Sequence, residues 1–128
     1  MKTILVDAIN AYVNDDGTIF RQLHELLCTY PNNKVVLTSA NEEQFNKFNL
    51  GQIKWPVFTL EHEPEKTDPE YYKILLNEYN LKAEDVIYFE HSADATTSAR
   101  SVGISTHFYD HNRRDLGALK KFIDSNLS

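Results

Sequence analysis

Residues 81–104, LKAEDVIYFEHSADATTSARSVGI, contain the pattern that decides the fold. The β-branched and aromatic run Val86–Phe89 predicts a buried strand, and Ser92–Val102 directly after it predicts a helix. A strand followed at once by a helix is typical of crossover connections between parallel strands. The rest of the chain repeats this alternation, which extends the prediction to the whole sequence.

The alternation predicts an α/β fold: a three-layer sandwich with a five-stranded parallel, Rossmann-like sheet and helices on both faces. The other predicted strands are Thr3–Val6, Val35–Leu37, Val57–Leu60 and Thr106–Tyr109. The other predicted helices run from Ile19 to near Tyr30, over Asn41–Phe48, from an Asp68 cap and Pro69 to Tyr79, and over Asp115–Leu127. We expect residues 1–128 to form one domain, a size that buries enough surface for a core.

Composition limits the classes of partner and compartment. The chain has 13 basic and 19 acidic residues, a formal charge of −6, and it carries no basic tract. We therefore expect no nucleic-acid partner. No apolar run is long enough for a membrane span or a signal peptide, so we expect a cytoplasmic protein without a membrane partner. The single cysteine, Cys28, excludes an internal disulfide and is expected to pack in a helix.

Chemically useful side chains stand where the predicted strands end, and ligand sites of open parallel sheets lie beyond those carboxyl ends. They combine a carboxylate, hydroxyls, an ammonium and an acidic cluster, which phosphoryl transfer through an aspartyl phosphate requires. Each of them alone is equally typical of a cap or a solvated side chain. The residues are Asp7, Thr38, Ser39, Lys66, Glu90, His91, Ser92 and Asp94.

Four segments together resemble the haloacid dehalogenase-like (HAD) phosphatase superfamily over nearly the whole chain. Ile4–Asp7 resembles the first motif of that family, Val35–Thr38 the second and Lys66–Tyr72 the third. The fourth motif and the helix behind it resemble residues 81–104, and this is the most specific of the matches.

The resemblance implies a role for each matching residue. Asp7 would be the nucleophile, Lys66 would steady it, and Thr38 with Ser39 would bind the phosphoryl group. Mg²⁺ is the implied cofactor, with Asp7, Glu90 and Asp94 as candidate ligands. The implied partner is a phosphorylated small molecule or macromolecule.

The sequence departs from the family pattern at two motifs. The first motif of the family has an aspartate two residues after the nucleophile, which protonates the leaving group and then activates water, and this chain has Ile9 there. An aliphatic side chain moves no proton, and such help is typically worth about 10²- to 10⁴-fold. In the fourth motif, Glu90 and His91 stand where the family has either a glycine and an aspartate or two aspartates. His91 is a candidate substitute acid or base, or simply a strand-end histidine bonded to the backbone.

Spacing leaves no room for the cap domain that many relatives carry, because the intervals between Asp7, Thr38 and Lys66 hold only a helix and a strand each. By resemblance, capless members act on large substrates or cover the site with a neighbouring subunit, so a homo-oligomer is one expectation.

Three functions are compared at this stage. The first is a HAD-like hydrolase whose activity is weak because of Ile9, and the alternative is a silent binding or regulatory module. A two-component receiver requires an aspartate after the third strand, where Leu60, Glu61 and His62 stand. A different alignment of the first motif, at Asn14–Ile19, places Asn14 at the position of the nucleophile. The side-chain amide of asparagine cannot attack phosphorus usefully.

Overall fold

Five parallel strands form one sheet in the order β3-β2-β1-β4-β5. The computed structural model describes residues 1–127. The strands are β1 (Thr3–Asp7), β2 (Lys34–Leu37), β3 (Val57–Phe58), β4 (Val86–Glu90) and β5 (Ser105–Phe108). The order places β1 at the centre, so its end lies between the ends of β2 and β4. The predicted α/β class and parallel sheet are confirmed.

Five helices connect or follow the strands: α1 (Arg21–Cys28), α2 (Glu42–Lys47), α3 (Pro69–Glu78), α4 (Ala93–Ser101) and α5 (Leu116–Leu127). Polar side chains set three of their starts. Asp68 caps α3 by accepting from the Glu70 N–H at 2.9 Å, with Pro69 in the first turn. Ser92 caps α4, and Asn41 caps α2.

The sheet buries both of its faces, because alternate residues of each strand point to opposite sides. Ile4 and Val6 of β1 pack with Leu23 of α1 and Ile123 of α5 on one face. Leu5 joins the core on the other face, which includes Leu75 of α3, Ala99 of α4 and other buried side chains. The result is the predicted three-layer arrangement.

Two details differ from the sequence-based expectations. β3 ends at Phe58, because the chain then leaves the sheet for a loop in which Glu61 and His62 have positive φ angles. Cys28 is exposed rather than packed, since it lies at the carboxyl end of α1, away from the buried positions Leu23 and Leu27. Within residues 1–127, no helix is both long and apolar enough to cross a membrane.

Candidate active site at the carboxyl ends of β1 and β4

Two fully buried carboxylates close neighbouring strands. Asp7 is the last residue of β1 and Glu90 the last residue of β4. The parallel register pairs Val6 with Phe89, so the two acids stand side by side at one edge of the sheet. Burying two carboxylates together is costly unless cations and hydrogen bonds compensate them.

Lys66 supplies one compensating cation. Its Nζ lies 2.7 Å from Asp7 Oδ1 and 2.7 Å from Glu90 Oε1. The lysine belongs to the loop between β3 and α3, and its backbone N–H donates to Ser39 Oγ at 3.1 Å. The predicted association of Asp7, Lys66 and Glu90 is therefore present in the structure.

His91 supplies a second contact to both acids. Its Nδ1 makes a short hydrogen bond to Asp7 Oδ2 and lies 3.3 Å from Glu90 Oε2. Its backbone N–H also donates to Asp7 Oδ2, at 3.0 Å. Asp7 Oδ2 thus accepts two hydrogen bonds, whereas Oδ1 accepts one, from Lys66, which leaves Oδ1 the freer oxygen.

The pKa values follow from this packing. Burial, with help from the charge of Glu90, raises the pKa of Asp7, and Lys66 and His91 offset only part of that rise. Burial also opposes the charge of Glu90, yet Lys66 and several hydrogen bonds hold its pKa well below the usual range. For His91, burial disfavours the imidazolium, but hydrogen bonds to Asp7 and Glu90 prevail and raise its pKa to about 10.

Tyr88 is a member of the cluster that sequence reasoning missed. Its hydroxyl donates a short hydrogen bond to Glu90 Oε1 and lies 3.4 Å from Lys66 Nζ. Burial beside Glu90 raises the pKa of Tyr88 well above its usual value, so the phenol stays protonated and acts as a donor. Tyr88 precedes Glu90 by two residues in β4, so both side chains lie on the same face of the strand. This spacing is the sequence signal that could have identified Tyr88.

A pocket of about 150 Å³ opens above Asp7. Thr38 and Ser39, predicted to bind the phosphoryl group, line it together with Lys66, His91 and Ile9. The Thr38 hydroxyl oxygen accepts from the Ala40 N–H at 3.2 Å, which leaves its proton to donate. Among residues 1–127, the backbone N–H groups of Ile9 and Ser39 donate no hydrogen bond.

Tyr71 fixes the segment that carries these hydroxyl groups. Its side chain is buried in α3, and its hydroxyl donates to the Thr38 carbonyl oxygen at 2.7 Å. The same hydroxyl lies 3.2 Å from the Phe58 carbonyl oxygen. One phenol therefore ties the ends of β2 and β3 together below the pocket.

Two further residues line the pocket, and the sequence predicted no chemical role for either of them. These residues are His62 and Gln44, and His62 Nε2 lies 2.6 Å from Gln44 Oε1. His62 Nδ1 lies 2.8 Å from Glu65 Oε1. No local motif marks this contact, because it joins α2 to the loop after β3.

Asp94, the third candidate metal ligand, does not join the cluster. It lies exposed in the first turn of α4, and the one group of potential metal ligands within residues 1–127 consists of Asp7, Glu90 and His91. A pocket of about 470 Å³ elsewhere opens at the amino ends of the strands, and Lys34 is the one charged residue in its lining. The chemically equipped site is the smaller pocket.

Sequence comparison leaves the chain without a match: no family model and no curated protein corresponds to it. Structural comparison is informative. The chain is similar to a HAD family enzyme of Bacteroides thetaiotaomicron, crystallised as an aspartate-to-alanine mutant with magnesium and inorganic phosphate. The TM-score is 0.72 at 14% identity, covering 93% of this chain and 98% of that one.

Two further structures agree. The core domain of a candidate phosphoglycolate phosphatase from Streptococcus pneumoniae gives a TM-score of 0.65 at 13% identity, covering 98% of this chain and 97% of that one. A candidate β-phosphoglucomutase from Thermotoga maritima gives 0.52 at 26% identity, covering 69% of this chain and 44% of that one. The match to 97% of a core domain agrees with the absence of a cap within residues 1–127. The chain therefore has the HAD-like fold, in its capless form over the residues described.

Proposed function

We propose that this chain is a HAD-like phosphohydrolase or phosphotransferase in which Asp7 accepts a phosphoryl group from a phosphorylated compound. The observation that carries the proposal is the placement of Asp7 Oδ1, bonded to Lys66 at 2.7 Å, at the floor of a pocket lined by Thr38 and Ser39. A nucleophile, a cation and hydroxyl donors on one small cavity match what a transferred phosphoryl group needs.

Each group has a physical task in this proposal. Asp7 Oδ1 attacks phosphorus, while the Lys66 ammonium and the His91 imidazolium offset the negative charge that the phosphoryl group brings. Two hydroxyl groups, those of Thr38 and Ser39, can donate to its oxygens. Two backbone N–H groups that have no partner within residues 1–127, those of Ile9 and Ser39, can do so as well. Burial strengthens these interactions, because fewer water dipoles screen them.

Ile9 limits the chemistry. Its side chain lines the pocket and carries no proton. Substrates whose leaving groups depart without protonation, such as acyl or aryl phosphates, are therefore the preferred class. Alkyl phosphates lose the general-acid help that is worth about 10²- to 10⁴-fold unless another group supplies it.

Magnesium fits part of the donor set. Asp7, Glu90 and His91 each offer one ligand atom, all within 4.8 Å of one another. The two carboxylate oxygens suit Mg²⁺, and the imidazole nitrogen suits a transition ion such as Mn²⁺ better. A bound divalent cation would neutralise charge on the phosphoryl oxygens.

Thermal denaturation with and without metal tests this donor set. We expect MgCl₂ or MnCl₂ to raise the Tm of the wild-type chain, because a ligand that binds only the folded state stabilises it. A His91→Ala variant distinguishes the two ions: the response to Mn²⁺ should fall more than the response to Mg²⁺. If His91→Ala changes the rise in Tm with neither Mn²⁺ nor Mg²⁺, His91 is not a metal ligand.

Replacing Ile9 with aspartate tests the proposed function directly. Where no other side chain of the pocket donates the proton, Ile9→Asp should raise turnover of an alkyl phosphate by about 10²- to 10⁴-fold. Asp7→Asn in the same background should abolish the gain. Turnover that survives Asp7→Asn in either background would contradict the proposal.

A second candidate is an anion-binding module without turnover. The observation in its favour is that Lys66 and His91 already compensate both buried carboxylates, while Ile9 supplies no acid. Calorimetric titration with inorganic phosphate separates the two candidates. Binding that Thr38→Val weakens, without any phosphorylation of Asp7 by acetyl phosphate, would favour the module.

A further inference from the structure

His62 stands in the wall of the pocket that contains the proposed nucleophile. The residue belongs to the loop between β3 and α3, and its side chain lines the same cavity of about 150 Å³ as Asp7 and Ile9. It is half-buried, with 35% of its side chain exposed. An imidazole placed there lines the cavity that a substrate above Asp7 would occupy.

The loop that carries His62 is fixed at both ends to the segment after β2. The Thr59 hydroxyl donates to the Ala40 carbonyl oxygen at 2.6 Å, and the Lys66 N–H donates to Ser39 Oγ at 3.1 Å. His62 itself has φ 69°, a left-handed conformation that is unfavourable for a non-glycine residue. Such conformations persist where surrounding contacts enforce them, and they are frequent in active sites.

Both ring nitrogens of His62 face oxygen acceptors. Gln44 Oε1 accepts from the Asn41 N–H at 3.0 Å in the capping box of α2, which identifies this atom as the amide oxygen. His62 Nε2, 2.6 Å from that oxygen, must therefore donate to it. Nδ1 faces a carboxylate oxygen of Glu65 at 2.8 Å, so it donates as well. The imidazolium satisfies both contacts.

We propose that His62 donates the proton to the leaving group in place of the acid that Ile9 cannot provide. This inference rests on the proposed phosphoryl transfer to Asp7. Glu65 positions the ring, and Gln44 holds the Nε2 proton until a substrate oxygen takes its place.

The proposed steps balance as follows. Asp7 Oδ1 forms a bond to phosphorus, and the bond between phosphorus and the leaving oxygen breaks. That oxygen keeps the electron pair and takes the Nε2 proton of His62, so an alcohol departs. A water molecule then attacks phosphorus and gives a proton to neutral His62, and the bond from phosphorus to Asp7 breaks. Phosphate leaves, and both residues return to their starting forms.

His91 is less suited to this role. Its Nδ1 is committed to Asp7 and Glu90, and its ring packs edge-on against His111 with the centroids 4.9 Å apart. The loop of His62 also carries Glu61, Glu63, Glu65 and Lys66, and the charged residues that line the pocket from other segments are Asp7 and His91. Of the two histidines in the pocket lining, His62 is the one whose bonds are all made outside the carboxylate cluster.

Leaving-group dependence tests the proposal. Turnover of ethyl phosphate and acetyl phosphate is measured for wild type, His62→Asn and Glu61→Gln, an exposed neighbour in the same loop. His62→Asn should lose about 10²- to 10⁴-fold with ethyl phosphate and less than about threefold with acetyl phosphate, whose leaving group needs no proton. Glu61→Gln should behave as wild type. Adding Ile9→Asp to His62→Asn should restore ethyl phosphate turnover.

The outcomes separate the two proposals. Equal losses on both substrates, or no loss on either, would overturn the role of His62 while leaving the proposed function in place. Failure of the wild-type protein to turn over either substrate would overturn both. Circular dichroism of each variant monitors folding, and the double variant reports on the active site even if His62→Asn lowers the Tm.

Discussion

At the scale of single residues, the site depends on cations that compensate two carboxylates shielded from solvent. Asp7 and Glu90 are fully buried, and Lys66 Nζ contacts both at 2.7 Å. Burial opposes the charge of Lys66, but Asp7 and Glu90 prevail and raise its pKa well above the usual value, so the ammonium is charged at neutral pH. Lys66 and His91 thus offset part of the rise in the pKa of Asp7 that burial and Glu90 cause.

Lys66→Met should destabilise the protein strongly. Removing one partner of a buried ion pair leaves an uncompensated charge, which typically costs about 3–5 kcal/mol. We expect the free energy of unfolding, measured by urea denaturation, to fall by that amount. Lys73→Met, at an exposed position of α3, is the matched control and should change it by less than about 0.5 kcal/mol. A similar small effect at Lys66 would contradict the compensation described here.

His91 should make stability fall as the pH rises. Its pKa goes from an ordinary 6.5 to about 10 in the folded state. The folded state therefore holds this proton more tightly, so the stabilisation is complete below pH 6.5 and is lost as the pH approaches 10. Urea midpoints at pH 6, 8 and 10 should decline in wild type and decline less in His91→Gln. Parallel profiles would show that His91 does not bind this proton.

Sequence reasoning identified the residues whose positions follow from strand ends. Asp7, Thr38 and Glu90 could be predicted because parallel strands bring their carboxyl ends to one edge. Tyr88, His62 and Gln44 could not be assigned in the same way. Their roles depend on side-chain contacts between distant segments, and Asp94 shows the converse, since proximity in sequence to Glu90 does not bring it to the cluster.

At the scale of elements, the predicted and observed bounds agree best where a capping residue marks the start of a helix. The start of α3 follows from Asp68 and Pro69, whose local bonding needs no tertiary contact. β3 was predicted too long, because the apolar run through Leu60 gives no sign of the positive φ angles that end the strand. Strand propensity predicts the end of a strand correctly only where no change of backbone direction ends the strand earlier.

Asp68→Ala tests the capping of α3. Loss of the bond to the Glu70 N–H should reduce the free energy of unfolding by about 1 kcal/mol. Glu78→Ala, at the exposed carboxyl end of the same helix, serves as the control and should have little effect. Thermal and urea unfolding measure both. Equal effects of the two substitutions would argue against a capping role.

At the scale of the whole molecule, topology concentrates function in one place. The order β3-β2-β1-β4-β5 places the end of β1 between the ends of β2 and β4, and Lys66 of the loop after β3 contacts Asp7 and Glu90 there. The chain has a net charge of −6, yet two cations and two anions meet at this site. An incoming phosphate therefore encounters a locally balanced pocket within an acidic protein.

Phosphorylation of Asp7 is the central claim, and intact-protein mass spectrometry after incubation with acetyl phosphate measures it. We expect a single phosphoryl adduct that hydroxylamine removes, that maps to Asp7 and that Asp7→Asn eliminates, because Asp7 lines the pocket with its Oδ1 beside the Lys66 ammonium. A folded protein that acquires no adduct, or acquires one at another residue, would contradict the account.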